Sequence, residues 1–335
     1  MDFPNRLETV ERVLFAKYPS PLEYLPRLSF ELGRPVYIKR DDGLGPGLGG
    51  NKTRKLEYLL AEAQRKGQGK VVTFGGLQSN HARLTVACAN RLGMQTHLFY
   101  FEPRPLTLMG NLLLNSLMGA HLHFIPLGGG GNGMTIEATI RLVRMVAWAM
   151  VGPHYFIPVG GHTWLGCLGY VRAAIELNTQ ARQAGLEKAH LVLAVGSGGT
   201  LAGLIAGMAM SHSPIQLLGI DIGKLWRAFP ASIASLAGEI CTKMGSPQTF
   251  SIDQIPLVEN TYAGQVYGQP SPEGQAAMRH LARLEGVLLD PVYTAKAFAG
   301  MLDLARKGCF PPEEPLIFLH TGGLPALFAF QDSEL

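Results

Sequence analysis

The stretch that decides the fold is HLVLAVGSGGTLAGLIAGM, residues 190–208. A continuous apolar run of strand length at 191–195 leads into a glycine-rich turn at 196–199, and an apolar run of helix length follows. A strand that is apolar on both faces is typical of a buried parallel sheet. Residues 191–210 also form a charge-free segment long enough to span a membrane, but the glycines interrupt it near its start. We therefore favour strand, turn and helix.

The same alternation of strand and helix runs along all 335 residues. The predicted strands are 35–39, 70–74, 96–101, 121–125, 154–159, 190–195, 215–220, 286–290 and 315–320. The predicted helices are 52–66, 79–92, 107–117, 134–150, 166–184, 200–211, 272–285 and 294–307. This order predicts an α/β fold whose parallel sheets are covered by helices on both faces. Ligands of such folds bind at the carboxyl ends of the strands, in the strand-to-helix loops.

Composition excludes several classes of protein. The net charge is only +4 and no long run of lysine and arginine occurs, which argues against a nucleic-acid partner. The four cysteines lie far apart without a C-x-x-C pair, which argues against a zinc or redox motif and favours a reducing compartment. The first residues lack the apolar core of a signal peptide, so we expect a cytoplasmic location, with no membrane partner and no metal.

The first strand-to-helix loop, DDGLGPGLGGNKTRKLEYLL at 41–60, allows three interpretations. Gly45, Gly47 and Gly50 match the dinucleotide fingerprint, but the match starts late after the strand and contains Pro46. A phosphate-binding P-loop needs glycine directly before its lysine, where Asn51 stands. The third interpretation places Lys52 at a helix start, where the helix dipole helps to keep its amine neutral and nucleophilic. Without other residues to support this role, a lysine at this position would be interpreted as a solvated side chain at the end of a helix.

Two other loops give Lys52 a context. Ser79 and Asn80 follow the strand at 70–74, where they suit either a helix cap or a carboxylate-binding site. The loop 196–200, Gly-Ser-Gly-Gly-Thr, can wrap a phosphate at the start of a helix, and Leu201 replaces the last glycine of a dinucleotide site. A lysine loop, a carboxylate loop and a monophosphate loop are what a pyridoxal-5'-phosphate (PLP) site requires. We therefore predict PLP bound to Lys52 as a Schiff base.

Six strings of the sequence resemble one known family. They are YIKRDD (37–42), GGNKTRKLEYLLAEA (49–63), QSNHARLTVA (78–87), VGSGGTLAGL (195–204), EGVLLDPVYTAKA (285–297) and HTGGLPALFAF (320–330). In this order they are similar to the D-cysteine desulfhydrase / 1-aminocyclopropane-1-carboxylate (ACC) deaminase family of fold type II PLP enzymes. The resemblance implies a tryptophan-synthase-β-like fold of two domains, each with a twisted parallel sheet. It implies a large PLP-binding domain of 1–50 plus 163–335, a small domain of 51–162, and a homodimer.

The resemblance also implies roles for individual residues. Lys52 would bear the cofactor, Lys55 and the loop Gly196, Ser197, Gly198, Gly199 and Thr200 would hold its phosphate, and Asn80 would face its phenolic oxygen. Ser79 would touch the substrate as a ligand or as an auxiliary base, and Tyr267 and Tyr293 would be the two active-site phenols. Thr294 and Thr321 would be the cofactor contacts that distinguish the activities within the family.

The two threonines imply the reaction. ACC deaminases carry glutamate and leucine at these positions, whereas threonines are the pattern of the D-cysteine desulfhydrases. The expected activity is α,β-elimination on D-cysteine to pyruvate, ammonia and hydrogen sulfide. Two departures leave other β-substituted amino acids open as substrates, such as L-cysteate or β-chloroalanine, and the alternative is a related PLP lyase or deaminase that acts on one of these or on ACC. The loop at 41–50 lacks the family's threonine-glycine pair, and the segment 221–227 is unlike the family.

Overall fold

The computed structural model describes residues 3–126, 136–223, 229–264 and 268–331, and within these residues ten strands form two sheets. The strands are β1 Leu22–Tyr24, β2 Val36–Arg40, β3 Lys70–Phe74, β4 Gln95–Tyr100, β5 His121–Phe124, β6 Tyr155–Phe156, β7 Ala189–Val195, β8 Ile215–Asp221, β9 Leu257–Val258 and β10 Leu316–His320. The larger sheet has the order β1-β2-β10-β7-β8-β9, and the smaller has the order β5-β4-β3-β6.

Both sheets are parallel, as the apolar strands predict, except where β1 pairs antiparallel with β2 at one edge. In the larger sheet β10 lies between β2 and β7, so that Phe318 pairs with Ile38 on one side and Val192 on the other. In the smaller sheet β3 lies between β4 and β6. The four strands of this sheet all lie between residues 70 and 156, and on this basis we propose the domain limits 51–162 and 1–50 plus 163–335.

Eleven helices of the described residues cover the sheets. They are α1 Phe3–Thr9, α2 Pro26–Leu32, α3 Lys52–Arg65, α4 Asn80–Asn90, α5 Gly110–Leu117, α6 Ile136–Val151, α7 Trp164–Gln183, α8 Gly199–Met210, α9 Phe229–Lys243, α10 Pro272–Glu285 and α11 Thr294–Arg306. Helices α7, α8 and α9 cover one face of the larger sheet, and α10 and α11 cover the other. Helix α6 lies on one face of the smaller sheet, and α4 and α5 lie on the other.

Residues 191–210 divide between β7 and α8 around the glycine turn, as predicted. Both elements are buried in the same apolar core. Within the described ranges, no helix combines the length and the apolar character that crossing a membrane requires.

The predicted strand at 286–290 is wrong. Gly286 ends α10 in the left-handed conformation, and residues 287–290 continue to the start of α11 without pairing in either sheet. Val287 and Leu289 are apolar because they are buried in the core under α10 and α11. Helices α1, α2 and α9 and the short strands β1 and β9 were not predicted. The glycine run 128–131, expected to be a loop, and residues 224–227 lie outside the described residues.

Candidate active site

The carboxyl ends of β3, β7 and β10 converge on one cavity between the two sheets. About 750 Å³ of it is unfilled, counting the solvent at its mouth. Its walls come from the loops after those strands, from the start of α3 and from the turn at 159–160. Nine of the predicted site residues line it: Lys52, Ser79, Asn80, Gly196, Ser197, Gly198, Thr200, Tyr293 and Thr321. Loops far apart in sequence therefore form a single site.

Lys52 is the first residue of α3, and the residues after it fix its position. Thr53 donates its hydroxyl to Leu44 O at 2.8 Å, which ties the helix start to the glycine loop. The Arg54 guanidinium forms two hydrogen bonds to the Asp41 carboxylate, at 2.8 and 2.9 Å, and also contacts Glu176 on α7. Paired hydrogen bonds between a guanidinium and a carboxylate fix the orientation of both groups. The contacts of Thr53 and Arg54 thus hold the start of α3, and with it the backbone of Lys52.

The Lys52 amine lies in an environment that disfavours its charged form. Burial, assisted by the nearby Lys55 charge, lowers the pKa of Lys52 to about 7. Its Nζ donates to Asn51 Oδ1 at 3.0 Å, and Asn51 in turn donates to the Thr200 hydroxyl at 3.3 Å. The neutral amine predicted from the sequence is thus favoured, although burial rather than the helix dipole is the main cause. A neutral primary amine is a nucleophile towards aldehydes.

The loop 196–200 has the geometry of an anion site. Helix α8 begins at Gly199, and the first N–H groups of a helix have no partner within it. Gly198 adopts a φ of 80°, and a β-carbon there would lie 2.7 Å from Ile233 Cγ1. Glycine is thus required for the backbone to turn its N–H groups towards the cavity.

Lys55 supplies a cation to the same loop. A β-carbon placed on Gly199 would lie 2.8 Å from Lys55 Nζ, so the ammonium contacts the first residue of α8. The same Nζ donates to Gly160 O at 3.0 Å. Gly160 has a φ of 69°, and a side chain there would collide with Ser197. Lys55 does not line the cavity itself. It lies directly behind the loop 196–200, called the phosphate loop below for the role that the sequence predicts.

Ser79 and Asn80 lie at the start of α4. Ser79 caps the helix, its hydroxyl oxygen accepting from Ala82 N at 3.2 Å, so the capping role that its sequence allowed is real. The residue also lines the cavity, where its hydroxyl hydrogen is available to a ligand. His81 lines the same wall; burial and the charges of Lys52 and Lys55 hold the pKa of His81 well below its usual range.

Tyr293 and Thr321 lie on the wall that the larger sheet provides. The Tyr293 ring packs over the phosphate loop, since a β-carbon on Gly196 would lie 3.6 Å from Tyr293 Cε1. Thr321 lies at the carboxyl end of β10, and its carbonyl oxygen accepts from Asn51 N at 2.9 Å. The loop that carries Lys52 and the loop that carries Thr321 are therefore joined by a backbone hydrogen bond.

Thr294 departs from its expected position as a cofactor contact. Its hydroxyl donates to Asp290 Oδ1 at 2.6 Å and accepts from Asp290 N at 2.8 Å, and its side chain does not line the cavity. The hydroxyl is therefore satisfied within its own helix start. Tyr267, the other predicted phenol, lies outside the described residues.

Asp290 supports the site and was not predicted from the sequence as a site residue. Asp290 is fully buried and accepts hydrogen bonds from the backbone of Val292, Tyr293 and Thr294. It therefore fixes the turn that presents Tyr293. One feature of the sequence could have indicated Asp290, namely an acidic residue that stands between an apolar run and a proline.

The donor set of the cavity fits PLP. The loop at the start of α8, with Lys55 behind it, suits a phosphate, and Lys52 suits an aldehyde. Asn80 and Thr321 offer neutral hydrogen-bonding groups at the remaining walls. No group of cysteine, histidine and carboxylate side chains in the described part of the chain is arranged to hold a metal ion.

Comparison with known proteins agrees with this arrangement. Residues 13–322 match the family model of pyridoxal-phosphate dependent enzymes. A solved structure described as "Crystal Structure Analysis of the ACC deaminase homologue" is 36% identical in sequence, with a TM-score of 0.87. The match covers 99% of this chain and 98% of that one. From the cavity, the parallel sheets and these matches together, the chain belongs to the pyridoxal-phosphate dependent enzymes of fold type II.

Proposed function

We propose that this enzyme is a lyase that eliminates the β-thiol of D-cysteine, giving pyruvate, ammonia and hydrogen sulfide with the uptake of one water. The observation that carries the proposal is the neutral character of the cavity wall. None of the described residues that line it is aspartate or glutamate, and Thr321 offers a hydroxyl instead.

The polarity of that wall affects the reaction because bound PLP would withdraw electrons from the α-carbon of the substrate into its ring, which acts as an electron sink. A carboxylate beside the pyridine nitrogen keeps that nitrogen protonated and the sink strong, as opening of a cyclopropane ring needs. A neutral hydroxyl gives a weaker sink, which is enough when the β-substituent is a good leaving group such as a thiol. Because the Thr294 hydroxyl is bonded to Asp290, this argument rests on Thr321 alone.

The residues of the chain have separate tasks in this proposal. Ser79 and the N–H groups at the start of α4 bind the substrate carboxylate. Lys52 would hold the cofactor, and its amine would accept the α-proton of the substrate. Tyr293, which lies beside Gly196, would contact the β-substituent. Lys55 and residues 196–200 hold the phosphate and do not exchange protons.

The alternative is another PLP-dependent lyase or deaminase that acts on L-cysteate, β-chloroalanine or ACC. The solved relative is described as an ACC deaminase homologue, which favours a deaminase of the same fold. The neutral Thr321 hydroxyl argues against ACC as the substrate.

The proposal predicts a clear order of substrates. With purified, cofactor-loaded enzyme, D-cysteine should yield pyruvate and sulfide at a rate at least about 10²-fold above deamination of ACC, since one positioned acid or base is worth that factor. Parallel assays of D-cysteine, L-cysteine, L-cysteate, β-chloroalanine and ACC measure this. Preferred turnover of ACC would overturn the argument from Thr321, and preference for an L-amino acid would overturn the proposed substrate while leaving the cofactor site intact.

The lowered pKa of Lys52 predicts how capture of PLP depends on pH. The folded-state pKa is depressed to about 7, so the neutral amine is scarce at pH 6 and predominant at pH 8. The rate of PLP capture by apoenzyme should rise about tenfold over that interval and then level off, whereas a lysine of ordinary pKa near 10.4 continues to gain neutral amine above pH 9. Stopped-flow absorbance, divided by the rate for a lysine-containing peptide, measures this. A ratio that stays constant with pH would show that the pKa of Lys52 is ordinary.

We also propose a homodimer and a cytoplasmic location. Support for the dimer is an apolar surface around α5, where four large apolar side chains are exposed: Leu106, Leu113, Leu117 and Phe328. Support for a reducing compartment is that the four cysteines are free thiols, three of them buried.

A further inference from the structure

Asn111, the second residue of α5, lies behind the cavity wall and is fully buried. Its side-chain Nδ2 donates to Asn80 Oδ1 at 2.8 Å and to Gln78 O at 2.9 Å. Its Oδ1 accepts from Arg83 Nε at 2.6 Å. All the hydrogens on the amide nitrogen of Asn111 are therefore used, and its oxygen is bonded to a cation.

The orientation of this amide follows from its partners. A guanidinium can only donate, so the oxygen of Asn111 must face Arg83. A backbone carbonyl can only accept, so the nitrogen of Asn111 must face Gln78 O. The hydrogen bond to Asn80 then comes from the same nitrogen, and it must end on the oxygen of the Asn80 amide.

Arg83 is itself held firmly. It is fully buried, and its Nη atoms donate to the carbonyl oxygens of Gly47 and Gly49 in the loop that leads to Lys52. No carboxylate is among the partners that the described residues give it, so it orients Asn111 through hydrogen bonds alone. Asn80 and Arg83 lie three residues apart on α4, on the same face of the helix, and both therefore reach Asn111.

We propose that Asn111 is a positioning residue that fixes the amide orientation of Asn80, so that Asn80 presents its NH₂ group, a hydrogen-bond donor, to the cavity. The inference rests on the proposed function and on the role that the family resemblance implies for Asn80, which would face the phenolic oxygen of PLP. A donor at that oxygen stabilises the phenolate form of the bound cofactor, whereas an acceptor there would favour the neutral phenol. Arg83, Asn111 and Asn80 thus form a chain of hydrogen bonds that sets the electronic state of the cofactor from behind the wall.

The substitution Asn111→Asp tests this directly. An aspartate keeps its bond to Arg83 but cannot donate, so Asn80 must turn its NH₂ towards residue 111 and its oxygen towards the cofactor. The phenolate form absorbs in the visible range and the phenol form in the near ultraviolet. We expect the ratio of near-ultraviolet to visible absorbance of the loaded enzyme to rise about fivefold, the usual net effect of one hydrogen bond. An unchanged ratio would refute the proposal.

A matched control lies one turn along the same helix. Asn115 is also fully buried, and its Nδ2 donates to the Tyr100 hydroxyl at 3.0 Å, away from the cavity. Asn115→Asp introduces the same new charge, and the tyrosine hydroxyl can turn to donate to it. We expect this variant to keep the wild-type absorbance ratio. A similar rise in both variants would mean that the effect comes from general loosening of α5, and would overturn the role given to Asn111.

Two further variants separate the possible failures. If Asn111→Asp does not fold, Asn111→Ala, which imposes neither orientation on Asn80, should give an intermediate ratio; a wild-type ratio there refutes the proposal. In an Asn80→Ala background, the change at residue 111 should have no spectral effect, because it acts through Asn80.

If borohydride reduction shows no cofactor on Lys52 in wild-type enzyme, the proposed function has failed. If Lys52 is labelled but the absorbance ratios do not change, only the role of Asn111 has failed.

Discussion

Lys52→Ala is expected to abolish lyase activity, lowering kcat by at least about 10³-fold. The reason is that one side chain is proposed both to bind the cofactor covalently and to accept the α-proton. No other lysine lines the cavity among the described residues, and Lys55 is committed to Gly160 O behind the phosphate loop. Initial rates of pyruvate release with saturating PLP measure this.

The fold should survive this substitution. The one hydrogen bond described for the Lys52 side chain goes to Asn51, and the Asp290 carboxylate keeps its own backbone hydrogen bonds when the amine is removed. Lys70→Ala is the control, since Lys70 Nζ donates to Val151 O outside the cavity. We expect the control to keep wild-type activity. Retention of more than a tenth of the activity by Lys52→Ala would contradict the assignment of Lys52.

Asp290→Ala is expected to lower the free energy of unfolding by about 3–5 kcal/mol, because it leaves several buried hydrogen-bond donors without an acceptor. The fully buried carboxylate accepts hydrogen bonds from three backbone N–H groups, at 2.8–3.0 Å, and from the Thr294 hydroxyl. Without it those donors are buried and unsatisfied, each at a cost of about 1–3 kcal/mol, reduced where water enters. Urea denaturation followed by circular dichroism measures the loss.

A matched control for Asp290 is Asp303 on α11, an exposed carboxylate that contacts Lys307 and Tyr262. Asp303→Ala should cost much less than Asp290→Ala, because exposed ion pairs contribute little to stability. A similar loss in the two variants would mean that Asp290 does not organise the turn before α11. Because Tyr293 is presented by that turn, Asp290→Ala should also lower activity in the fraction that remains folded.

The larger part of the candidate site could be predicted from the sequence because its loops share a local pattern. Each of the main loops follows a continuous apolar strand and precedes a helix, and parallel strands bring their carboxyl ends to the same edge. The positions of Lys52, Ser79 and the loop 196–200 followed from this rule. The order of the strands did not, since β10 inserts between β2 and β7 through contacts far apart in the chain.

What could not be predicted depends on side-chain geometry and on tertiary contacts. The resemblance gives the position of Thr294 but not its rotamer, which is set by Asp290. Residues 286–290 have the apolar pattern of a strand, yet they pack under helices instead of pairing. Strands of two or three residues, such as β9 and β1, are too short to show a period. The link between Asn111 and Asn80 joins residues 31 positions apart, and nothing in either local sequence indicates it.

The most direct test of the whole account is the location of the cofactor on the chain. Purified enzyme loaded with PLP is reduced with borohydride, digested, and mapped by mass spectrometry. We predict loss of the yellow colour and a phosphopyridoxyl group on Lys52 alone. Modification of Lys39, Lys55 or Lys70 in place of Lys52, or a coloured protein that borohydride does not alter, would contradict it.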